Sequence, residues 1–154
     1  MSVVESKLVE LGIVLSEPTS PVATYVNYVV QDGIAYISGK GPSTPSGLVT
    51  GIVGTDLTLE QAYEAARLTG ISLLSVLKQA AGGDLDNVVQ IVKLLGFVAC
   101  APGFYDAPKV INGCSDLLFE VFGEKGMHAR SAIPTSQLPF NIPVEIEMIA
   151  KVSY

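Results

Sequence analysis

Val88-Val89-Gln90-Ile91-Val92-Lys93-Leu94-Leu95-Gly96-Phe97-Val98-Ala99 is the stretch on which the fold turns. It is a long β-rich run that is apolar on both alternating sets: Val89, Ile91 and Leu95 on one side, Val88, Val92 and Leu94 on the other. A strand apolar on both faces is buried on both. One face can meet helices of its own chain. The other has to meet something else, and a neighbouring copy of the chain is the natural candidate.

The elements around this strand supply the helices. Upstream, Thr58-Leu59-Glu60-Gln61 fits a capping box, with Thr58 as N-cap and Gln61 at the third helical position. Ala62, Ala66, Thr69, Leu73, Leu77 and Ala80 then recur every three or four residues as one apolar stripe, and Gly82-Gly83 stops it. Downstream, Ala101-Pro102-Gly103-Phe104 turns the chain, and Asp106 precedes Pro108 as an N-cap with proline in the first turn. Val110, Ile111, Cys114, Leu117, Leu118, Val121 and Phe122 mark a second amphipathic helix closed by Gly123, which puts the Cys114 thiol in the core.

Further out, Val4, Leu8 and Leu11 fit a short helix ending near Gly12, and Pro18 and Pro21 make an extended lead-in. Tyr25 to Val30 and Ile34 to Ser38 flank Gln31-Asp32-Gly33, a hairpin whose Asp-Gly supplies the positive φ of a tight turn. Gly39 and Gly41, after Ser38, are either turn residues or a place where backbone amides approach a ligand. Residues 42–57 are rich in Gly, Ser, Thr and Pro, with Leu48-Val49 and Ile52-Val53 as a candidate edge strand. The last strand, Val144 to Val152, alternates Glu145, Glu147, Ile149 and Lys151 against Val144, Ile146, Met148 and Ala150. The order β-β-(β)-α-β-α-β-β predicts an α+β two-layer fold, two helices of roughly 15–24 residues on one face of a mixed β-sheet. It predicts a single domain over residues 1–154, with 1–20 as an N-terminal extension.

Composition narrows the function classes. The hydrophobic fraction is 49% and the charged fraction only 16%, so a chain of this size is expected to hide surface against copies of itself. A net charge of −6 without any basic run argues against binding a phosphate backbone, so no nucleic acid is expected. No run of about 18 apolar residues is present, so no membrane span is expected. Met1 to Glu10 lacks the order of a signal peptide. Cys100 and Cys114 form no metal spacing and no disulfide framework. The expectation is a cytoplasmic protein with reduced thiols and neither metal nor cofactor.

The chemistry concentrates in His128-Ala129-Arg130-Ser131-Ala132-Ile133, Leu138-Pro139 and Val144-Glu145-Ile146-Glu147. An arginine between a tight turn and an apolar run can be fixed as a fork that grips a small carboxylate bidentately. The alternative is an ion pair with Glu145 or Glu147, and on residue types alone that is the commoner outcome. Arg130 to hold an acid and Glu145 to position water would suffice for a substrate that hydrolyses readily. His128 is the one imidazole. That excludes a two-histidine mechanism and leaves His128 as a bystander.

The hairpin from Tyr25 to Gly39, the capped helix, the buried strand, the second helix and the succession Ala129-Arg130-Ser131, Leu138-Pro139, Val144-Glu145-Ile146-Glu147 resemble the RidA/YjgF family. Its members are reactive-intermediate deaminases, also labelled endoribonuclease L-PSP. The resemblance covers the chain from about Ser20 and is to the longer variety of the family. It implies a chorismate-mutase-like fold and a homotrimer whose sheets line a central barrel, with clefts between subunits. It implies that Arg130 binds the carboxylate of a 2-imino acid and that Glu145 orients the attacking water. Release of ammonia then gives a 2-keto acid without metal or organic cofactor. Tyr25, Ser38 and Gly39 would shape the cleft, and Asn112 falls within one residue of a family asparagine. Ala132 stands where many active members have cysteine, although the backbone carbonyl there can still orient water. Pro134 is expected to bend or end its strand beside the cleft. The same cleft also suits a non-catalytic trimer that binds a 2-keto acid or another small carboxylate. Ribonuclease activity, the old label, is opposed by the acidic balance and the lone histidine.

Overall fold

Asp86 holds the start of the chain. Its carboxylate accepts the backbone N–H groups of Val3 and Val4 at 2.9 Å each, satisfying donors that a helix leaves free in its first turn. In this computed structural model, which describes residues 2–154, helix α1 (Val3–Glu10) therefore packs on the body of the domain, with Val4 and Leu8 buried.

Strands β1 (Tyr28–Gln31) and β2 (Ile34–Lys40) form the expected hairpin. Asp32 and Gly33 take φ of 53° and 75°, as a two-residue hairpin turn requires. The first strand starts at Tyr28, not Tyr25. Before it, the Asn27 carbonyl accepts the Ser38 N–H at 2.9 Å and the Val26 carbonyl accepts the Ser38 hydroxyl at 2.7 Å. The second strand continues past Ser38 by way of a bulge. Ile37 faces Met148 and Lys40 faces Ile146, so Ser38 and Gly39 together oppose Glu147. The candidate edge strand at Leu48–Val53 does not form. In its place β3 (Ser43–Thr44) and β4 (Gly47–Leu48) make a separate miniature hairpin, and Val53 bridges singly to Leu57 and Cys100.

Helix α2 (Leu59–Ala80) begins with the predicted capping box. The Thr58 hydroxyl accepts the Gln61 N–H at 3.1 Å, and the Gln61 side chain accepts the Thr58 N–H at 2.9 Å. Its apolar stripe from Ala62 to Ala80 is fully buried. Strand β5 (Val88–Ala99) and helix α3 (Ala107–Phe122) follow. Gly123 closes α3 at φ 63°. Asp106 precedes α3 but caps none of its N–H groups; its carboxylate lies 3.6 Å from the Lys109 ammonium. Strands β6 (Ala129–Thr135) and β7 (Val144–Val152) complete the fold.

The main sheet runs β1-β2-β7-β5-β6, with β5 and β6 parallel and the other pairs antiparallel. This is the predicted mixed sheet with two helices on one face. Ala35, Ile37, Ile91, Leu94, Val98, Ile146, Met148 and Ala150 face the helices and form the core with them.

Strand β5 departs from simple alternation. Its pairing with β7 shifts between Val88 and Gln90 and again between Ile91 and Lys93. The buried positions therefore fall at Val88, Ile91, Leu94, Gly96, Val98 and Ala99. Ile91 turns inward, while Val89 and Val92 are both exposed. The two-sided apolar character survives: Val29, Tyr36, Ile149, Leu95, Phe97 and Ile133 share the face opposite the helices, uncovered in one chain.

Candidate functional site

Arg130 pairs in register with Leu94, whose side chain is fully buried under the helices, so the arginine lies on the helix side of the sheet. There α3 receives it. Nη1 donates to the Ser115 hydroxyl at 3.1 Å and Nη2 to the Pro108 carbonyl at 3.2 Å. Pro108, Asn112 and Ser115 are spaced four and three apart, which is one face of a helix. Asn112 is half-buried and falls between the two anchors on that face. Two of the five donors of the arginine are thus used, leaving three.

The structural alternative for Arg130 does not form. The ion pairs among the described residues are Lys7–Glu10, Arg67–Glu120, Lys78–Glu5 and Lys109–Asp106. No carboxylate of the described residues lies within 4 Å of Arg130. It is an arginine built into a frame of neutral partners, with its charge uncompensated by any acid.

His128 belongs to that frame and is not a bystander. Its Nδ1 lies 2.7 Å from the Gly126 carbonyl oxygen and its Nε2 lies 2.9 Å from the Ser115 hydroxyl. Ser115 drew no attention in the sequence. The available signal was a polar residue seven positions after Pro108, two helical turns on the same face.

Glu145 is elsewhere. It pairs in register with Phe97, and its neighbours Val144 and Ile146 are the fully buried, helix-facing residues. Glu145 therefore projects from the opposite face of the sheet. Gly39 lies beside it: a Cβ at Gly39 would stand 2.8 Å from Glu145 Oε2, so glycine gives the carboxylate room to lie along β2 and a larger residue would displace it. Ser38 shares the bulge, and Tyr25, 59% exposed, sits in the lead-in next to it. Burial, and then the neighbouring Glu147, raise the Glu145 carboxyl above its ordinary pKa.

The site residues thus fall into two halves. Arg130, Asn112 and Ala132 lie with Ser115 and His128 at the β6 edge on the helix side. Tyr25, Ser38, Gly39 and Glu145 lie on the open face, around β2 and β7. Strand β5 stands between, and the two halves face opposite ways. Two clefts of the single chain, of about 370 and 160 Å³, are lined by Val3, Asp86 and Lys125 and by Leu15, Lys78 and Gln79. They touch neither half.

Ala132 pairs with Gly96, where Ile111 of α3 packs directly on the strand. Pro134 does not end β6, which stays paired with β5 through Thr135. The Thr135 carbonyl accepts the Cys100 N–H at 3.0 Å, so the backbone of Thr135 points into the sheet. By alternation that of Pro134, Ala132 and Arg130 points to the unpaired edge. A missing N–H on that side breaks no ladder bond. It also leaves the Ala132 carbonyl available at the edge.

Among the described residues no group of three His, Cys, Asp or Glu side chains could hold a metal ion. Cys114 is fully buried and its thiol pKa is pushed up to about 12 by burial. Burial also raises the Cys100 thiol, against a smaller lowering by the Thr135 backbone. Neither is an activated nucleophile. Among the described residues no helix is long and apolar enough to cross a membrane.

Known proteins share this fold. The family described as "YjgF/chorismate mutase-like, putative endoribonuclease" matches residues 5–152. Protein TCP17 of Trypanosoma cruzi is 40% identical over 152 residues, 97% of this chain and 94% of its own length. The crystal structure of Atu1372 from Agrobacterium tumefaciens, a protein of unknown function, superposes with a TM-score of 0.91 at 39% identity, covering 98% of this chain and 94% of that one. A protein of Shewanella oneidensis MR-1 described as a "putative endoribonuclease" superposes with a TM-score of 0.93 at 32% identity, covering 98% and 100%.

Proposed function

The chain belongs to the YjgF/chorismate-mutase-like family, and from that premise we propose that it hydrolytically deaminates small reactive enamines and 2-imino acids to 2-keto acids and ammonia. The observation that carries the reading is Arg130. A guanidinium at a strand edge, tied by two neutral partners and paired with no acid among the described residues, is suited to clamp a carboxylate.

With the carboxylate of R–C(=NH)–COO⁻ on Arg130, the imine carbon is held for attack by water. Glu145 orients that water and takes its proton as the C–O bond forms, and the imine nitrogen takes up a proton. The proton held by Glu145 then passes to the amine nitrogen of the carbinolamine, which leaves as ammonia, while the hydroxyl gives up its proton to solvent and its oxygen forms the keto C=O. Every atom comes from substrate and water, so the step calls for no metal or organic cofactor. The raised pKa of Glu145 moves it toward the range of a general base.

Because Arg130 and Glu145 of one chain face opposite sides of its sheet, a site that uses both draws them from two copies. This supports a homotrimer, in which the α3–β6 edge of one subunit meets the open face of the next and three heterologous contacts close a ring. The same contact would cover Val29, Tyr36 and the other apolar residues of the open face. We place the protein in the cytoplasm, with free Cys100 and Cys114 reduced.

The test is release of keto acid from freshly generated aliphatic and aromatic imino acids, with Arg130→Ala, Glu145→Gln and a re-assembled mixture of the two. Each variant alone should be inactive. In a randomly mixed ring about one cleft in four combines an intact arginine with an intact glutamate, so the mixture should regain about a quarter of the parent rate. Parent turnover no faster than buffer overturns the enzyme reading. Stabilisation by a 2-keto acid that depends on Arg130, without turnover, would identify a carboxylate-binding trimer instead.

A further inference from the structure

We propose that His128, acting through Ser115, is a positioning residue that fixes the Arg130 guanidinium in the orientation its ligand needs. The ligand itself rests on the carboxylate reading above; the relay does not.

Two of the three hydrogen bonds have their direction set by their end partners. The Gly126 carbonyl can only accept, so His128 Nδ1 carries a hydrogen and donates it over 2.7 Å. Arginine can only donate, so the Ser115 oxygen accepts from Nη1 at 3.1 Å. The hydroxyl hydrogen of Ser115 is then free for His128 Nε2, 2.9 Å away. Burial holds the ring toward its neutral form, and in the Nδ1–H tautomer Nε2 accepts that hydrogen. A serine without this partner is free to rotate; with it, the lone pairs of Ser115 are aimed at the guanidinium.

The far end of the relay is equally fixed. Gly126 packs on α3 so closely that a Cβ there would stand 2.1 Å from the Leu118 carbonyl oxygen. Only glycine brings that turn against the helix, so the carbonyl that orients the imidazole is tied to the helix that carries Ser115. Gln90 on β5 holds the neighbouring Met127 carbonyl at 2.6 Å. The relay thus joins α3, the turn and the β6 edge at one point.

Protonation would place a hydrogen on Nε2, where the Ser115 hydrogen now sits, and a second positive charge beside Arg130. Burial is the main force keeping the ring neutral; the Gly126 carbonyl opposes it and Arg130 adds to it. Arg130 is the one charged side chain bearing on the ring among the described residues. On α3, Asp116 and Glu120 are engaged with Tyr63 and Arg67 of α2, and Glu124 and Lys125 of the turn are exposed. Arg130 should therefore be well oriented at neutral pH and loosened on acidification below the ordinary imidazole value of 6.5.

The experiment follows the side-chain nitrogens of His128 and Arg130 by ¹⁵N NMR in the free protein, then titrates pyruvate as the simplest 2-keto carboxylate. The parent is compared with Ser115→Ala, His128→Phe and His128→Gln, the last of which keeps an acceptor for Ser115 but cannot titrate. His128 should be the Nδ1–H tautomer, and the Arg130 signals should sharpen or shift with its ionisation. Those signals should average in Ser115→Ala and His128→Phe and be retained in His128→Gln. Pyruvate affinity at neutral pH should fall about tenfold in the first two and stay near the parent in the third. The weakening in acid should vanish in His128→Gln. Arg130 signals indifferent to both Ser115→Ala and His128→Phe overturn the relay. If instead those signals respond but the parent binds pyruvate no better than Arg130→Ala, the relay stands and the carboxylate reading falls.

Discussion

Gly96 is where α3 rests on the sheet, and Gly96→Ala tests whether the helix that holds Arg130 is packed as tightly as its geometry requires. A Cβ at Gly96 would stand 2.7, 2.9 and 3.1 Å from Cδ1, Cγ1 and Cγ2 of Ile111. Ordinary carbon–carbon contact is about 3.5–4.0 Å, so these contacts are short by about 0.4–1.3 Å. Neither side can easily yield. β5 is flanked by β7 and β6, and Ile111 is fully buried. Overpacking of this kind costs about 1–3 kcal/mol. The stiffer unfolded chain offsets about 0.4–1 kcal/mol of it, since φ of Gly96 is not positive. A net loss of about 1–2 kcal/mol lowers the melting temperature by roughly 2–8 °C at this chain length. The decisive assay is a double-mutant cycle by denaturant unfolding. Ile111→Ala alone should cost about 2–5 kcal/mol for its cavity. In the double variant the new methyl partly fills that cavity, so its loss should be smaller than the sum of the singles by about 1 kcal/mol or more. Additivity to within about 0.5 kcal/mol would refute the packing of Ile111 over Gly96. Because α3 also carries Pro108 and Ser115, Gly96→Ala should weaken whatever Arg130 binds, and Ile111→Ala should partly restore it.

Other consequences follow from the titratable groups. Glu145 has a folded pKa raised above its ordinary 4.5, so the stability it contributes is present below that value and lost as pH rises through the folded pKa. Glu145→Gln should therefore be inactive yet more stable than the parent near neutrality. The gap should close below the ordinary carboxyl value; unfolding curves at several pH values that show it constant or widening in acid would sink this account. Cys114, fully buried with a thiol pKa of about 12, should resist a thiol reagent until the chain unfolds; labelling faster than global opening in denaturant would contradict its place in the core.

Much of this fold was legible because its signals are local. The Thr58–Gln61 capping box and the Asp32-Gly33 turn are short-range chemistry, and both formed as the residues dictate. The misreadings share a different origin. The bulges in β5 and at Ser38–Gly39 depend on what the partner strand offers, and a period of two cannot reveal an extra residue. Pro134 looked like a strand breaker because β6 was not known to be an edge. On an edge, half the backbone needs no partner, and proline fits. His128 was set aside for the same reason: its partner Ser115 lies on a helix that sequence spacing alone does not place over β6.

The divided site sets a limit on what a single chain of this fold can do. Arg130 and its supports are complete within one subunit: α3, the turn at Gly126 and the β6 edge supply all four hydrogen bonds that link them. Glu145 and Gly39 are likewise complete on the open face. On the proposed reading neither half needs rearrangement, only a neighbour. Binding of a carboxylate to Arg130 and hydrolysis at that carboxylate are therefore separable properties. The first should survive Glu145→Gln, and the second should require a second copy. A variant held monomeric by a charge on the open face, such as Val29→Lys, would divide them cleanly. It should keep the His128–Ser115–Arg130 relay and lose turnover together, and a monomer that still turned over imino acids would show that Glu145 is not the group that handles water.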